Sequence, residues 1–313
     1  MRYLFFDIEG ANCYNFRSKM CTFGYVMTTP SFDVFSKIDV VINPESTFDK
    51  HIIKNKMNAY DISKYEKAPA FPYFYNSIKN ILEFQDQIIV GWSIENDVKY
   101  VYDACKRYNL KQIKYKYLDL QKVVMKIENT SNHPGLDTVC KKYNIEEGTY
   151  HKSDDDALIT MKIAQLICQE KKISLQELCN LFDDCVSSVD EFILHLPSAE
   201  EIREKINKRR ITDIINHTKR KQKHTNPAIN ENDIYAFHPD IIKSHCNQLI
   251  KAIYYIKECG AECVTTMSKC TKFIYLKEPK RKSICHNENK EEIEMIKFED
   301  FLKSIELIPV TNE

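Results

Sequence analysis

The sequence carries no excess of either charge. Lys and Arg together number 45, and Asp and Glu together also number 45. No global basic field advertises a nucleic-acid partner, so any such partner has to be held by a local patch or by metal ions. No apolar run approaches the roughly 20 residues of a membrane span. The N-terminus begins apolar but meets Asp7 and Glu9 at once, which leaves no hydrophobic region of the length a secretory leader needs. Paired CxxC and HxxxH units are missing as well. Cysteine itself is plentiful, at 12 residues, but the chain is too long and too charged for a small disulfide scaffold. A cytoplasmic protein with reduced thiols and no membrane partner is expected. The richest Cys/His stretch is His245, Cys246, Cys259, Cys263, Cys270, Cys285 and His286. Without paired spacing, buried thiols are a simpler reading of it than a zinc site.

What is present is a chain of 313 residues with 43% apolar content, enough for about two domains. Tyr3–Glu9, Met20–Met27 and Val34–Ile42 read as three strands with short gaps, which suits an antiparallel meander. Pro72–Phe84 has helical spacing, Ile88–Val90 reads as a buried strand and Asn96–Tyr108 as a helix. Tyr115–Leu118 is a short strand that runs into helical Asp119–Ile127. After Pro134-Gly135, Leu136–Tyr143 is helical, Gly148–Ser153 a loop, and Asp154–Gln169 a long helix. Ser174–Glu191 also reads as helical. Five strands that meander and then alternate with helices make a mixed sheet flanked by helices, an α/β layer architecture.

Between Arg203 and Lys223, nine Lys or Arg residues stand against two acids. A solvated basic linker is the plain reading, and a tether for nucleic acid the functional one. The polar stretch from Thr225 to Asn232 marks a boundary. Beyond it, Ile234–Phe237, Ala261–Thr266 and Lys272–Leu276 read as strands, with helices at Cys246–Glu258 and Phe298–Ile305. Gly260 suits a helix C-cap. The expected division is 1–172, a helical basic linker 173–226, and a small α/β domain 227–313.

The opening strand carries the chemistry. Side chains alternate along a strand, so Asp7 and Glu9 share a face. Two close carboxylates repel, and a divalent cation removes that cost; oxygen donors suit Mg2+ or Mn2+. Asp97 follows the strand at Ile88, and Asp156 lies in the first turn of a later helix, five residues after His151. Strand ends and helix starts of one α/β sheet converge on one cleft. Four carboxylates there suit two hard cations about 4 Å apart, the arrangement that clamps attacking and leaving oxygens in phosphoryl transfer. His151 could take a proton from the attacking water. Taken singly, each residue has an ordinary role: Asp97 and Asp154–Asp156 as helix-start acids, His151 as a solvated loop residue.

Together, Phe6-Asp7-Ile8-Glu9-Gly10, Asp97 within Gly91–Val101, and His151-Lys152-Ser153-Asp154-Asp155-Asp156-Ala157 resemble the three motifs of the DEDDh 3′–5′ exonucleases. That family is similar to the proofreading epsilon subunit of bacterial DNA polymerase III and has an RNase H-like fold. The resemblance covers about residues 1 to 170. It implies that Asp7 bridges two metal ions, that Glu9 and Asp156 complete the tighter site, that Asp97 supports the second, and that His151 is the general base. It further implies that the backbone at Gly10 and Ala11 lies against the terminal nucleotide. The family often has Thr after the motif's Glu and His-Asn in the second motif; this chain has Gly10-Ala11 and Trp92-Ser93. Those positions touch substrate, so the departures bear on substrate preference.

The C-terminal unit is similar to a BRCT domain in the order of its strands and its helix, with Cys259-Gly260 in place of the usual Gly-Gly. The customary Trp is missing, because Trp92 is the only one in the chain. The implied function is metal-dependent removal of nucleotides from the 3′ end of single-stranded nucleic acid. DNA is the first choice of substrate, because a BRCT-like unit points to DNA maintenance, and short RNA is the alternative. A protein partner through the C-terminal domain is compatible with this reading. An inactive module that binds strand ends would require the loss of at least one of the five positions, and none is lost.

Overall fold

The computed structural model describes residues 1–13, 17–55, 59–145, 151–277, 286–289 and 292–305. Residues 148–150 of the expected loop and Cys285 of the Cys/His stretch lie outside the described residues. The chain divides into two compact units, Met1–Leu196 and Pro197–Glu313.

The first unit is built around β1 (Arg2–Asp7), whose residues Tyr3–Phe6 are all buried. A small ribbon follows, β2 (Gly10–Asn12) with β3 (Lys19–Met20), and then β4 (Thr22–Thr28) and β5 (Val34–Val41). Short helices α1 (Lys50–Lys54) and α2 (Ile62–Lys67) precede α3 (Phe71–Leu82). Next come β6 (Gln87–Gly91), α4 (Glu95–Arg107), β7 (Lys116–Asp119), α5 (Leu120–Ile127), α6 (Leu136–Tyr143) and α7 (Ser153–Lys171). The unit closes with α8 (Leu175–Leu181), β8 (Val186–Ser188) and α9 (Val189–Leu194).

The main sheet has the order β5-β4-β1-β6-β7-β8. β1 pairs antiparallel with β4 and parallel with β6, β6 with β7 is parallel, and both outer pairs are antiparallel. This is the RNase H-like mixed sheet that the resemblance implies, with six strands where five were expected. The sixth is β8, inside the stretch read as one helix from Ser174 to Glu191. Two capping boxes account for the break. Ser174 with Glu177 starts α8, and Ser188 with Glu191 starts α9, each pair satisfying backbone N–H groups that a helix start leaves open. Between them, Val186–Ser188 completes the hydrogen bonding of β7.

Alternation along β1 sorts the core into two layers. Leu4, Phe6 and Ile8 pack with Phe23, Ile78, Leu82, Val98 and Val101. Tyr3 and Phe5 pack with Val26, Val124, Ile163 and Ile167. Each such large apolar side chain contributes about 1.5–3 kcal/mol by burial. Asp7 belongs by parity to the second face, the one covered by α7.

The seat of α7 on the sheet is set by Gly24. In the sheet register Gly24 lies opposite Asp7 on one side and Asp39 on the other. A Cβ at Gly24 would stand 2.1 Å from the Asp154 amide nitrogen and 2.2 Å from the Ser153 carbonyl carbon. Ser153 is fully buried, and its hydroxyl is hydrogen-bonded to that of Thr22.

The second unit contains α10 (Ala199–His217), β9 (Ile234–Phe237), α11 (Pro239–Ser244), α12 (Cys246–Glu258), β10 (Glu262–Cys263), β11 (Lys272–Tyr275), β12 (Glu294–Lys297) and α13 (Phe298–Ser304). Its four strands, in the order β10-β9-β11-β12, are all parallel. Gly260, at φ 89°, ends α12. The expected linker 173–226 is divided between the units: α8, β8 and α9 lie in the first, whereas α10 buries Ile211 and Ile215 in the core of the second. The described cysteines are free thiols, and Cys259, Cys263 and Cys270 are buried.

Gly24→Ala places a methyl group against main chain that has no rotamer to yield. It should cost about 3 kcal/mol, at the top of the usual range for overpacking, measured by urea unfolding. A variant of wild-type stability would show that α7 is free to move away from the sheet.

Candidate active site

Asp7 ends β1, and Glu9 follows two residues on. The main chain there is pinned by the ribbon: the Glu9 carbonyl accepts from the amides of Cys21 (2.8 Å) and Thr22 (3.3 Å). The sheet face of these acids is the one on which α7 begins. One carboxylate oxygen from each of Asp7, Glu9 and Asp156 lies within 4.8 Å of the others.

Three acids open α7, and their partners tell them apart. Asp154 is paired with Lys152 at 2.9 Å and Lys37 at 3.3 Å, and Asp155 with Lys37. Asp156 faces Glu9 and His151 instead, and accepts a hydrogen bond from the His151 main chain. Asp97 arrives from the opposite layer, in the first turn of α4, and is buried. Its Oδ1 accepts the Ile8 N–H at 2.9 Å, which ties the start of α4 to the end of β1.

His151 has a left-handed backbone, φ 60°, a conformation that costs a non-glycine residue roughly 1–2 kcal/mol. Its Nδ1 stands 3.6 Å from Glu9 Oε1, and 39% of its side chain is exposed. The ring is therefore both beside the carboxylates and open to solvent.

The electrostatics follow from crowding. Loss of hydration pushes Asp7 well above the usual carboxylate range, and Asp97, Glu9 and Asp156 push it further. Asp97 is also raised, first by burial, against the pull of the Ile8 amide. Asp156 is pushed up to about 7 by burial and by Glu9, with His151 opposing. The Glu9 carboxylate beside it raises His151, against the loss of hydration that would lower it.

The structure brings Asp7, Glu9, Asp97, His151 and Asp156 to one end of the sheet. Of the expected substrate contacts, Trp92 packs half-buried against the second core layer, with its indole N–H buried and unpartnered among the described residues. Ser93 follows with a left-handed backbone, φ 52°. Ala11 is buried, and Gly10 opens the ribbon. Two neighbours escaped the sequence reading. Tyr100 lays its hydroxyl where a Gly10 side chain would be, 1.9 Å from the ideal Cβ position. Its i+3 spacing from Asp97 was the available signal. Asp39 lies beyond Gly24 in the register, bonded to the Tyr60 hydroxyl at 2.7 Å and raised mainly by burial. Its place on an exposed-looking strand gave no signal.

The Exonuclease family model (RNase_T) matches residues 5–164, and the chain belongs to that family. No curated protein matches the chain. Among solved structures, a 3′-exonuclease described in the 3′-end specific recognition of a histone mRNA stem-loop is 15% identical over 54% of this chain and 82% of that one, with TM-score 0.47. E. coli Exonuclease I in complex with a dT13 oligonucleotide is 16% identical over 58% of this chain and 42% of that one, with TM-score 0.48. The nuclease domain of 3′hExo, a DEDDh family member bound to rAMP, is 16% identical over 54% and 91%, with TM-score 0.45.

The donor set fits a hard divalent cation. Three carboxylates converge, two of them with strongly suppressed ionisation, and oxygen ligands of this kind suit Mg2+ or Mn2+.

Asp7, Asp97, Asp156 and His151 all hold protons more tightly folded than unfolded. The metal-free fold therefore loses stability as pH rises from about 4 through about 7 and beyond. Thermal melts in EDTA should show this decline. At pH 8, Asp7→Asn should melt higher than the wild type in EDTA. Mg2+ or Mn2+ at a hundred times Kd should stabilise the wild type by about 2.7 kcal/mol and the variant far less. Equal metal increments in both proteins would remove Asp7 from the ligand set.

Proposed function

We propose that this chain is a metal-dependent 3′–5′ exonuclease that releases nucleotides from the end of single-stranded nucleic acid. The observation that carries the reading is the convergence of Asp7, Glu9 and Asp156, with His151 beside Glu9, in a chain of the Exonuclease family. Asp7, Glu9 and Asp156 would hold the metal, with Asp97 supporting a second ion. Two ions bound there would polarise the terminal phosphodiester and lower the pKa of the attacking water.

The side chains divide the remaining work. His151, exposed and adjacent to Glu9, takes the proton from the attacking water. It does so as the neutral ring, so the negative charge that raises it must first be neutralised. Asp97 fixes the turn after β1 through the Ile8 amide, which holds Asp7 and Glu9 in place. The main chain at Gly10 and Ala11 would receive the terminal nucleotide, beside the Tyr100 hydroxyl that packs on Gly10. Trp92 and Ser93 would contact the same nucleotide.

Single-stranded DNA is the preferred substrate, on the strength of the BRCT-like order of elements in the second unit. RNA is the alternative, and a contact to the 2′-hydroxyl would decide it. The nearer likeness to the polymerase III epsilon subunit, and a protein partner for the second unit, belong to the same reading.

The test uses 5′-labelled DNA and RNA strands of matched sequence with Mg2+ or Mn2+. A ladder shrinking from the 3′ end, abolished by EDTA and by Asp7→Ala, is expected. His151→Ala should slow turnover by about 10²–10⁴-fold while leaving the metal-induced rise in melting temperature unchanged. Wild-type turnover in that variant would strip His151 of its role.

A further inference from the structure

The basic run of the second unit has no part in the site described above. All nine of its Lys and Arg residues, from Arg203 to Lys223, are exposed. Two of them are paired, Arg220 with Glu262 at 2.6 Å and Lys223 with Glu258 at 3.3 Å. The other seven have no ion-pair partner among the described residues. Glu204, one of the two acids in the run, faces Lys243 instead. On α10, Lys205 and Arg209 stand one turn apart, with Lys208 beside them. Like charges at this spacing cost roughly 0.2–0.5 kcal/mol per pair, a cost that a bound polyanion reverses.

The C-terminal end of α10 opens on a cleft of about 760 Å3. Lys219, Arg220, Lys257 and Lys269 line it, with Glu262 its one carboxylate. A helix C-terminus ordinarily repels anions. Here the buried Lys257 amine caps it, bonding the carbonyls of Ile215 and Thr218 (2.8 Å to the latter). Glu262 is engaged by Lys257 and Arg220, which leaves Lys219 and Lys269 unpaired among the described residues. Thr265 and Thr266 add exposed hydroxyls to the wall, and no Phe, Tyr or Trp lines it. Such a surface meets phosphates and ribose rather than stacking on bases.

We infer that the exposed basic face of α10 and this cleft form a second binding surface, for the phosphate backbone of single-stranded nucleic acid of any sequence. The choice of nucleic acid over an acidic protein rests on the exonuclease reading. The surface adds affinity for long strands and takes no part in hydrolysis.

The experiment measures binding of the full-length chain, in EDTA, to a labelled oligothymidylate of about 30 nucleotides between about 50 and 200 mM salt. The variant replaces Lys205, Arg209, Lys219 and Lys269 together by Gln, which keeps the side-chain stems. Losing four phosphate contacts should reduce the slope of log K against log salt by about 3 and weaken low-salt binding by about 10²-fold. Hydrolysis of a strand of about four nucleotides should be unchanged, and Arg in place of the three lysines should retain binding. Should the fourfold variant fail to melt cooperatively, Lys219→Gln with Lys269→Gln is expected to give half the change in slope. Wild-type affinity and slope in the Gln variant overturn the proposal. So does polyglutamate competing as well as the oligonucleotide, which would make the partner an acidic protein. A chain that hydrolyses nothing but shows the loss of slope would refute the exonuclease reading and leave this surface standing.

Discussion

The first unit depends on one close approach, the first turn of α7 against Gly24. Because β4 has no side chain there, main chain meets main chain, and the buried Ser153 hydroxyl joins that of Thr22. That contact fixes the height at which α7 leaves the sheet, and so sets how near Asp156 comes to Asp7 and Glu9. The apolar face of the same helix, Ile159, Ile163 and Ile167, is buried beside Phe5 and Val26. Core packing and site geometry are thus one constraint.

Around this seat, ionic partners are arranged so that some acids are satisfied and others are not. Lys37 and Lys152 neutralise Asp154 and Asp155. Asp7 and Asp156 receive no lysine or arginine among the described residues, and His151 is the one basic ring at hand. The fold thereby accepts a local penalty, visible in the raised carboxyl groups, at the place where a cation would remove it. Of the eight non-glycine residues with a left-handed backbone among the described residues, His151 is the one that stands beside these acids.

Much of this was legible from residues alone. The alternation of Tyr3–Phe6, the apolar run at Ile88 and the spacing from His151 to Asp156 are local signals, and they located five strands and the five charged positions. What was not legible is what depends on partners far away in the chain. β8 is three residues long and has no pattern of its own; it exists because β7 offers an open edge. A basic helix such as α10 looks like a linker until Ile211 and Ile215 are seen to face a core. The capping boxes at Ser174 and Ser188 were readable and mark the break that β8 fills. Gly24, Tyr100 and Asp39 gain their meaning from register and from helix placement, which a linear reading does not supply.

The hydroxyl pair beneath α7 joins residues 131 apart in the chain, the Lys37–Asp155 pair joins residues 118 apart, and the Ile8–Asp97 bond spans 89. Closing such long loops is slow and entropically costly. On the ribosome, at about 5–20 residues per second, β1 and its two acids emerge many seconds before the helix that completes their cluster. The nascent chain therefore exposes Asp7 and Glu9 while it is unable to complete their cluster with Asp156. Completion of the acidic cluster on this scaffold is a late event in the chain's maturation.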